Sequence, residues 1–224
     1  MKANKIKTFY RHNLPHLQPI GAAFFVTFRL KDSIPRAKLS ELKQAFEAKK
    51  KTLLRENTVS AKQELMEHHH RFFLAYDKLL EDVRTGPHYL KDPKIALMVT
   101  SQLHRFDGEL YDLVAYCIMS NHVHILIDTS LQIPEEQDLF NFEQMDFEPL
   151  ERIMKRIKGA SARYANLELD RAGSTFWQKE SYDRFIRNEM EFDNVIGYIL
   201  NNPVKAGIVK KWDDFPFTFY KYTQ

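Results

Sequence analysis

Two histidines, His122 and His124, sit two residues apart in the stretch His122-Val123-His124-Ile125-Leu126-Ile127-Asp128. Residues i and i+2 of a β-strand project to the same face. The spacing therefore puts two imidazoles side by side while Val123, Ile125 and Ile127 point to the opposite face. Two neutral imidazoles a few ångströms apart can share a divalent metal; the plainer account is a pair of half-exposed strand histidines. A second pattern lies further on, where Asn194, Tyr198 and Asn202 fall at i, i+4 and i+8, one polar stripe on an otherwise apolar helix. A phenol and an amide one turn apart could carry a nucleophile and a metal ligand together. The plainer account makes Tyr198 an edge of the core and Asn202 a cap before Pro203. A phenol titrates near about pH 10, so such a nucleophile needs a base or a metal to assist it. The chain holds 10 tyrosines; Tyr182, just before the last helix, and Tyr164, ending a basic helix, are the main rivals to Tyr198.

The elements that must position these residues follow from periodicity. Residues 21 to 31 are short, apolar, aromatic and β-branched, bounded by Pro19-Ile20-Gly21 and Asp32-Ser33, and read as a buried strand. Apolar residues at helical spacing from Leu39 to Leu53 and again from Leu65 to Val83 predict a helical hairpin over residues 36 to 84, with a break near Asn57 to Ser60 and a close at Gly86-Pro87. Asp92 before Pro93 is an N-cap with proline in the first turn, and the stripe Ile95, Met98, Val99, Leu103 and Phe106 gives a helix ending near Asp107-Gly108. Alternation over residues 109 to 128, broken at Ser120-Asn121, predicts two antiparallel strands that include the histidine pair. From Leu150 the stripe Ile153, Met154, Ile157, Ser161 and Tyr164 gives a helix with a basic solvent face. Thr175 to Ile186 reads as another strand. Asn188 with Glu191 three residues later opens a last helix, stopped by Asn202-Pro203. This order predicts an α+β fold, a mainly antiparallel sheet flanked by helices, as one domain over residues 1 to 224, with the 36 to 84 segment as an insertion and an acidic loop at about 129 to 149.

Three islands of this chain resemble a known family: Ala23-Phe24-Phe25-Val26-Thr27-Phe28-Arg29, then Tyr116-Cys117-Ile118-Met119-Ser120-Asn121-His122-Val123-His124-Ile125-Leu126-Ile127, then Tyr198-Ile199-Leu200-Asn201-Asn202-Pro203-Val204-Lys205-Ala206-Gly207. With Phe176-Trp177-Gln178 and Asp183-Arg184-Phe185-Ile186-Arg187 between them, they make the chain similar to the tyrosine-dependent single-strand DNA transposases of the HUH superfamily (IS200-like), most closely the REP-associated tyrosine transposases. The resemblance implies a ferredoxin-like HUH nuclease fold, with the family's histidines at His122 and His124, its nucleophile at Tyr198 and its third metal ligand at Asn202. It further implies Mg²⁺ or Mn²⁺ as cofactor and cleavage of single-stranded DNA near hairpins through a 5′-phosphotyrosine link. Two departures are Ser120, where many relatives have proline, and the insertion, which exceeds the minimal catalytic domain. The alternative is a catalytically inactive hairpin DNA- or RNA-binding module of the same fold. A third reading is a metal hydrolase that never uses Tyr198.

Composition sets the outer bounds. With 224 residues, 44% hydrophobic, 7 Gly and 9 Pro, the chain can bury a core and is not linker-like. A single cysteine, Cys117, excludes an internal disulfide and a cysteine zinc site, and fits a reducing, cytoplasmic setting. The apolar run from Ile20 to Phe28 is far shorter than the roughly 20 residues that span a bilayer, so no membrane partner is expected. The net charge of +3 is unevenly placed: residues 1 to 31 hold Lys and Arg with no acid, and residues 129 to 149 hold Asp and Glu with no base. Arg29, Lys155, Arg156, Lys158, Arg184 and Arg187 are the candidate contacts to a DNA backbone, against the plain alternative of solvated side chains. His68-His69-His70 lies on a helix, where successive residues diverge by about 100°, and reads as a solvated or interface face rather than a metal site. Lys49-Lys50-Lys51 reads as a solubilising surface or a further DNA contact. Monomer and homodimer both remain open.

Overall fold

The apolar run after Gly21 forms β3 (Ala23–Arg29), the strand on which the main sheet is aligned. The structure, a computed structural model, describes residues 9–11, 15–56, 58–82, 86–133 and 147–223. These divide into two compact units, one of the chain up to Lys31 together with Tyr89 onward, the other Asp32–His88.

In the first unit, a short ribbon of β1 (Phe9–Arg11) and β2 (Pro15–Leu17) precedes β3. The five-stranded sheet then draws on β4 (Asp112–Ile118), β5 (His122–Asp128), β6 (Tyr182–Phe185) and β7 (Thr218–Tyr220), in the order β6-β3-β5-β4-β7. All neighbours are antiparallel. Strand alternation gives the sheet two chemically distinct faces. Phe24, Val26 and Phe28 with Val123, Ile125 and Ile127 occupy one, and they join a continuous core with α3 (Pro93–His104) and α4 (Leu150–Glu168). The other face is crossed by α5 (Glu189–Lys205), which packs on β4 and β5.

Local signals account for most boundaries. Asp92 accepts the Lys94 N–H at 2.9 Å and Pro93 occupies the first turn of α3. Asn188 accepts the Glu191 N–H at 2.9 Å to cap α5, while the Glu191 carboxylate returns to the Arg187 N–H at 3.0 Å, one residue earlier than a standard capping box. The hydroxyl of Ser161, inside the apolar stripe of α4, is satisfied by the Ile157 carbonyl at 2.7 Å and accepts the Trp177 indole N–H at 2.9 Å.

Three expectations are corrected. The strand expected over Thr175 to Ile186 is realised only at Tyr182–Phe185, with an isolated bridge between Trp177 and Leu30. Between them, the Lys158 ammonium donates to the carbonyls of Gln178 (2.8 Å) and Lys179 (2.9 Å) and to the Ser181 hydroxyl (3.1 Å), drawing acceptors away from the ladder. The last helix does not stop at Asn202-Pro203 but runs to Lys205, with Pro203 inside its final turn. There the missing proline N–H costs one bond only, and the carbonyls of Asn202 and Pro203 are taken by the N–H groups of Ala206 (3.0 Å) and Ile208 (2.9 Å). The strands β1, β2 and β7 were not expected at all. β7 is held from beyond its end, where the Lys221 ammonium pairs with Asp112 and with Asp107 and the Tyr222 hydroxyl donates to Asp112 at 2.7 Å. Of the acidic loop, residues 134–146 lie outside the described residues; Gln132 ties its two ends by accepting the Glu148 N–H (2.8 Å), and it also donates to the Leu110 carbonyl (2.6 Å).

The second unit is a pair of helices, α1 (Arg36–Glu56) and α2 (Val59–Asp82), with a small cluster of Ile34, Tyr76 and Leu80. Phe46 is its other anchor. His68 stacks on it at 4.7 Å, His69 meets it edge-on at 4.9 Å, and the His68 Nε2 reaches the Phe46 carbonyl at 3.0 Å. Two of the three consecutive histidines thus serve the helix seam and His70 is exposed. Lys50 is no surface residue either: its stem is buried and its ammonium lies 5.4 Å over the Phe46 ring, 3.4 Å from Glu47.

Truncating Ile125, fully buried in the central strand, to alanine should cost about 2–5 kcal/mol, read as a lower urea midpoint by tryptophan fluorescence. Burial, then the Lys50 and His68 charges, push His69 down from 6.5 to about 4. The unfolded imidazole binds a proton across that interval and the folded one does not, so stability rises with pH from about 4 to 6.5 and is lost as pH falls. His69→Gln should flatten that dependence in a pH series of denaturant melts.

Candidate active site

The register of the sheet assembles a row of polar residues on the face opposite the α3/α4 core. Thr27 of β3 is paired with His124 of β5 and with Tyr182 of β6; His124 is paired in turn with Cys117 of β4, and Cys117 with Thr218 of β7. One step along, Arg29 is paired with His122. The two histidines therefore share a face, as their spacing requires, with ring centroids 4.7 Å apart and planes at 75°. Both are buried rather than half-exposed, at 1% and 0% exposure.

Helix α5 lies over this row. The half-buried ring of Tyr198 meets His124 edge-on at 5.4 Å and Phe25 edge-on at 5.8 Å, and Phe25 stacks on His124 at 5.7 Å. Aromatic pairs of this geometry contribute about 0.5–1.5 kcal/mol each beyond area burial, so Tyr198 is a fixed part of the wall. Along the stripe Asn194, Tyr198 and Asn202, burial deepens from exposed through half-buried to complete, so the helix descends towards the sheet at its C-terminal end. Asn202 donates from Nδ2 to the Tyr198 carbonyl at 3.3 Å, and its Oδ1 is buried with no hydrogen-bond partner. A buried carbonyl oxygen left this way costs about 1–3 kcal/mol. Histidine nitrogens and an amide oxygen suit a hard or borderline divalent cation. The two buried, adjacent imidazoles could therefore share a divalent cation, and Asn202 offers an amide oxygen from the helix over them.

The rival tyrosines separate clearly. Tyr164 is exposed, at 45%, on α4 beyond the opposite sheet face. Tyr182 stands in the polar row, but burial pushes its phenol up to about 12, against the ionisation a nucleophile needs. Cys117, behind His124, is buried with its thiol raised to about 12 by burial, although Thr218 donates to its sulfur at 3.6 Å.

The six basic candidates fall into two groups. Lys155 and Arg156 are exposed on α4, Arg156 pairing with Glu148 at 3.1 Å. Arg184 and Arg187 converge on one carboxylate, Glu191, at 3.1 and 3.2 Å. Arg29 is withdrawn from solvent and Lys158 is half-buried. Arg29 is 3% exposed, and burial together with the Arg29 charge holds Lys158 down at about 8. Sequence reasoning missed two residues that touch the imidazoles, Thr27 and Asn121. Both lie inside the islands of resemblance, yet their contacts depend on strand pairing and turn geometry.

No protein-family model matches the chain. A curated protein of Haemophilus influenzae named as a REP-associated tyrosine transposase is 28% identical over 110 residues, covering 49% of this chain and 59% of that protein. The chain thus spans about three fifths of that relative's length. A solved structure of a REP-associated tyrosine transposase bound to a REP hairpin aligns over 93% of this chain and 80% of its own, with a TM-score of 0.45 and 17% identity. That relative carries the name of the family that the sequence islands resemble. Among the described residues, no helix is long and apolar enough to cross a membrane.

If Asn202 were a structural cap, replacing it would destabilise the helix end. With its oxygen unpartnered, Asn202→Leu should leave the metal-free protein as stable or more so, by up to about 1 kcal/mol. Thermal unfolding in EDTA measures this, and a large fall in the midpoint would return Asn202 to a structural role.

Proposed function

We propose that this protein is a metal-dependent single-strand DNA endonuclease and strand transferase of the transposase type, acting near DNA hairpins through a covalent 5′-phosphotyrosine intermediate. The observation that carries the reading is the Tyr198 ring edge-on to His124 at 5.4 Å, on the helix that also bears the unpartnered Asn202 oxygen. The named relative supports the same class.

In this reading His122, His124 and Asn202 hold Mg²⁺ or Mn²⁺, with two imidazoles biasing affinity towards Mn²⁺. The bound cation would supply Lewis-acid neutralisation of charge growing on the non-bridging phosphate oxygens. Tyr198 Oη attacks the scissile phosphorus in line. The phosphorus–O3′ bond breaks, the phenol loses its proton, and the departing 3′-oxygen takes one up. The products are a 5′-phosphotyrosine and a free 3′-hydroxyl; because an aryl phosphate keeps a good leaving group, the strand can be rejoined without a nucleotide cofactor. Packing of Tyr198 against Phe25 and His124 restricts the ring before substrate arrives, so orientation is supplied in advance. Of the six basic candidates, Lys155, Arg156 and Arg187 are exposed and Arg184 is half-buried, and these four can face backbone phosphates. Arg29 is buried, and the half-buried Lys158 holds the segment that leads into β6.

Incubation with labelled single-stranded hairpin DNA from around the protein's own gene, with Mn²⁺ or Mg²⁺, should give a covalent protein–DNA band on a denaturing gel. EDTA and Tyr198→Phe should abolish it, Tyr182→Phe should keep it, and His122→Ala or His124→Ala should lower cleavage by about 10²–10³-fold. Cleavage that persists in Tyr198→Phe without an adduct would overturn the tyrosine mechanism in favour of metal hydrolysis. Tight hairpin binding without cleavage would leave a binding module.

A further inference from the structure

Both imidazoles are held from behind. Asn121, 2% exposed, ends the β4–β5 turn; its main-chain carbonyl accepts the Leu30 N–H at 2.8 Å, and its side-chain Oδ1 lies 2.6 Å from His122 Nδ1. Thr27, fully buried and directly across the ladder from His124, brings its Oγ1 to 2.8 Å from His124 Nδ1. An amide oxygen can only accept, so His122 Nδ1 carries the proton, and a neutral imidazole with one N–H then has its in-plane lone pair on Nε2. A threonine hydroxyl can accept in the same sense and leave His124 in the same state.

We propose that Asn121 and Thr27 are positioning residues that hold His122 and His124 as Nδ1–H tautomers, so that each ring presents Nε2 as its ligating atom. The proposal rests on the reading of the pair as a metal site. Turn geometry alone does not call for asparagine at 121, since among the described residues only Asp32 and Asp170 of the non-glycines have positive φ. Nor does packing call for threonine at 27, where valine has the same shape and the same strand preference. What each residue adds is an oxygen placed at one ring nitrogen. A hydrogen bond to the far nitrogen of a metal-binding imidazole fixes its orientation and raises its basicity, and losing one typically lowers metal affinity by about 10–100-fold.

The test has two readouts on the DNA-free protein. Long-range ¹H–¹⁵N NMR of the metal-free wild type, at a pH where the imidazoles are neutral, should show both histidines as Nδ1–H tautomers. Calorimetric titration with Mn²⁺ should show affinity falling by about 10–100-fold in Asn121→Leu and in Thr27→Val. Asn121→Asp and Thr27→Ser, which keep the accepting oxygen, should bind no more than about threefold more weakly than wild type. A merely structural role would not separate Leu from Asp or Val from Ser in this way. An Nε2–H tautomer at either histidine in the wild type overturns the proposal, as does undiminished Mn²⁺ affinity in both Asn121→Leu and Thr27→Val. The wild-type spectrum decides the tautomers even if a variant fails to fold. Nδ1–H tautomers in a wild type that binds neither Mn²⁺ nor Mg²⁺ would support the tautomer assignment and overturn the metal-site reading instead.

Discussion

Thr27 lies opposite His124 and Arg29 opposite His122 in the β3–β5 ladder, and the polar row that carries the two histidines takes its place from that register. A slip of β5 by one residue would turn the histidines into the α3/α4 core and bring Val123, Ile125 and Ile127 out under α5. Phe24, Val26, Phe28, Val123, Ile125 and Ile127 are each at most 1% exposed. Burying one such side chain is worth about 1.5–3 kcal/mol, so the apolar face makes any other pairing prohibitive. Apolar residues on one face thus hold the polar row on the other in place.

The second half of the candidate site comes from a single helix. Tyr198 and Asn202 are one turn apart on α5, so their relative placement is set by helix geometry and needs no loop to define it. The helix is anchored by Val195, Ile196, Ile199 and Leu200, all buried, and continues through Pro203. Had it ended at Asn202, the amide would have stood at a fraying terminus. Its extension to Lys205 keeps that amide inside regular helix, with the unpartnered oxygen sequestered from water.

What could be read beforehand depended on whether a residue's role was periodic or long-range. The shared face of His122 and His124 follows from a period of two, and the Tyr198–Asn202 alignment from a period of 3.6. Both were legible. The roles of Thr27 and Asn121 were not: Thr27 meets His124 across 97 positions of chain, and Asn121 resembles any polar residue in a turn. β7 escaped notice because three residues show no alternation; its pairing is completed by Lys221 and Tyr222 reaching back to Asp112. The strand expected at Thr175 to Ile186 was cut short by one lysine on another element, a contact no local pattern announces. Lys50 was misjudged because a lysine's long stem lets it lie buried against an aromatic ring with its charge paired nearby.

The lengths of the strands carry a last consequence. The three inner strands each have seven residues, while the outermost have four in β6 and three in β7. A foreign strand seeking to extend the sheet would find only a few open rungs on either margin, and beside β7 it would meet the ion-paired Lys221. Short, charge-guarded margins are how soluble sheets avoid templating their own aggregation. The long, apolar strands that support the site are therefore kept from the one association their composition would otherwise invite.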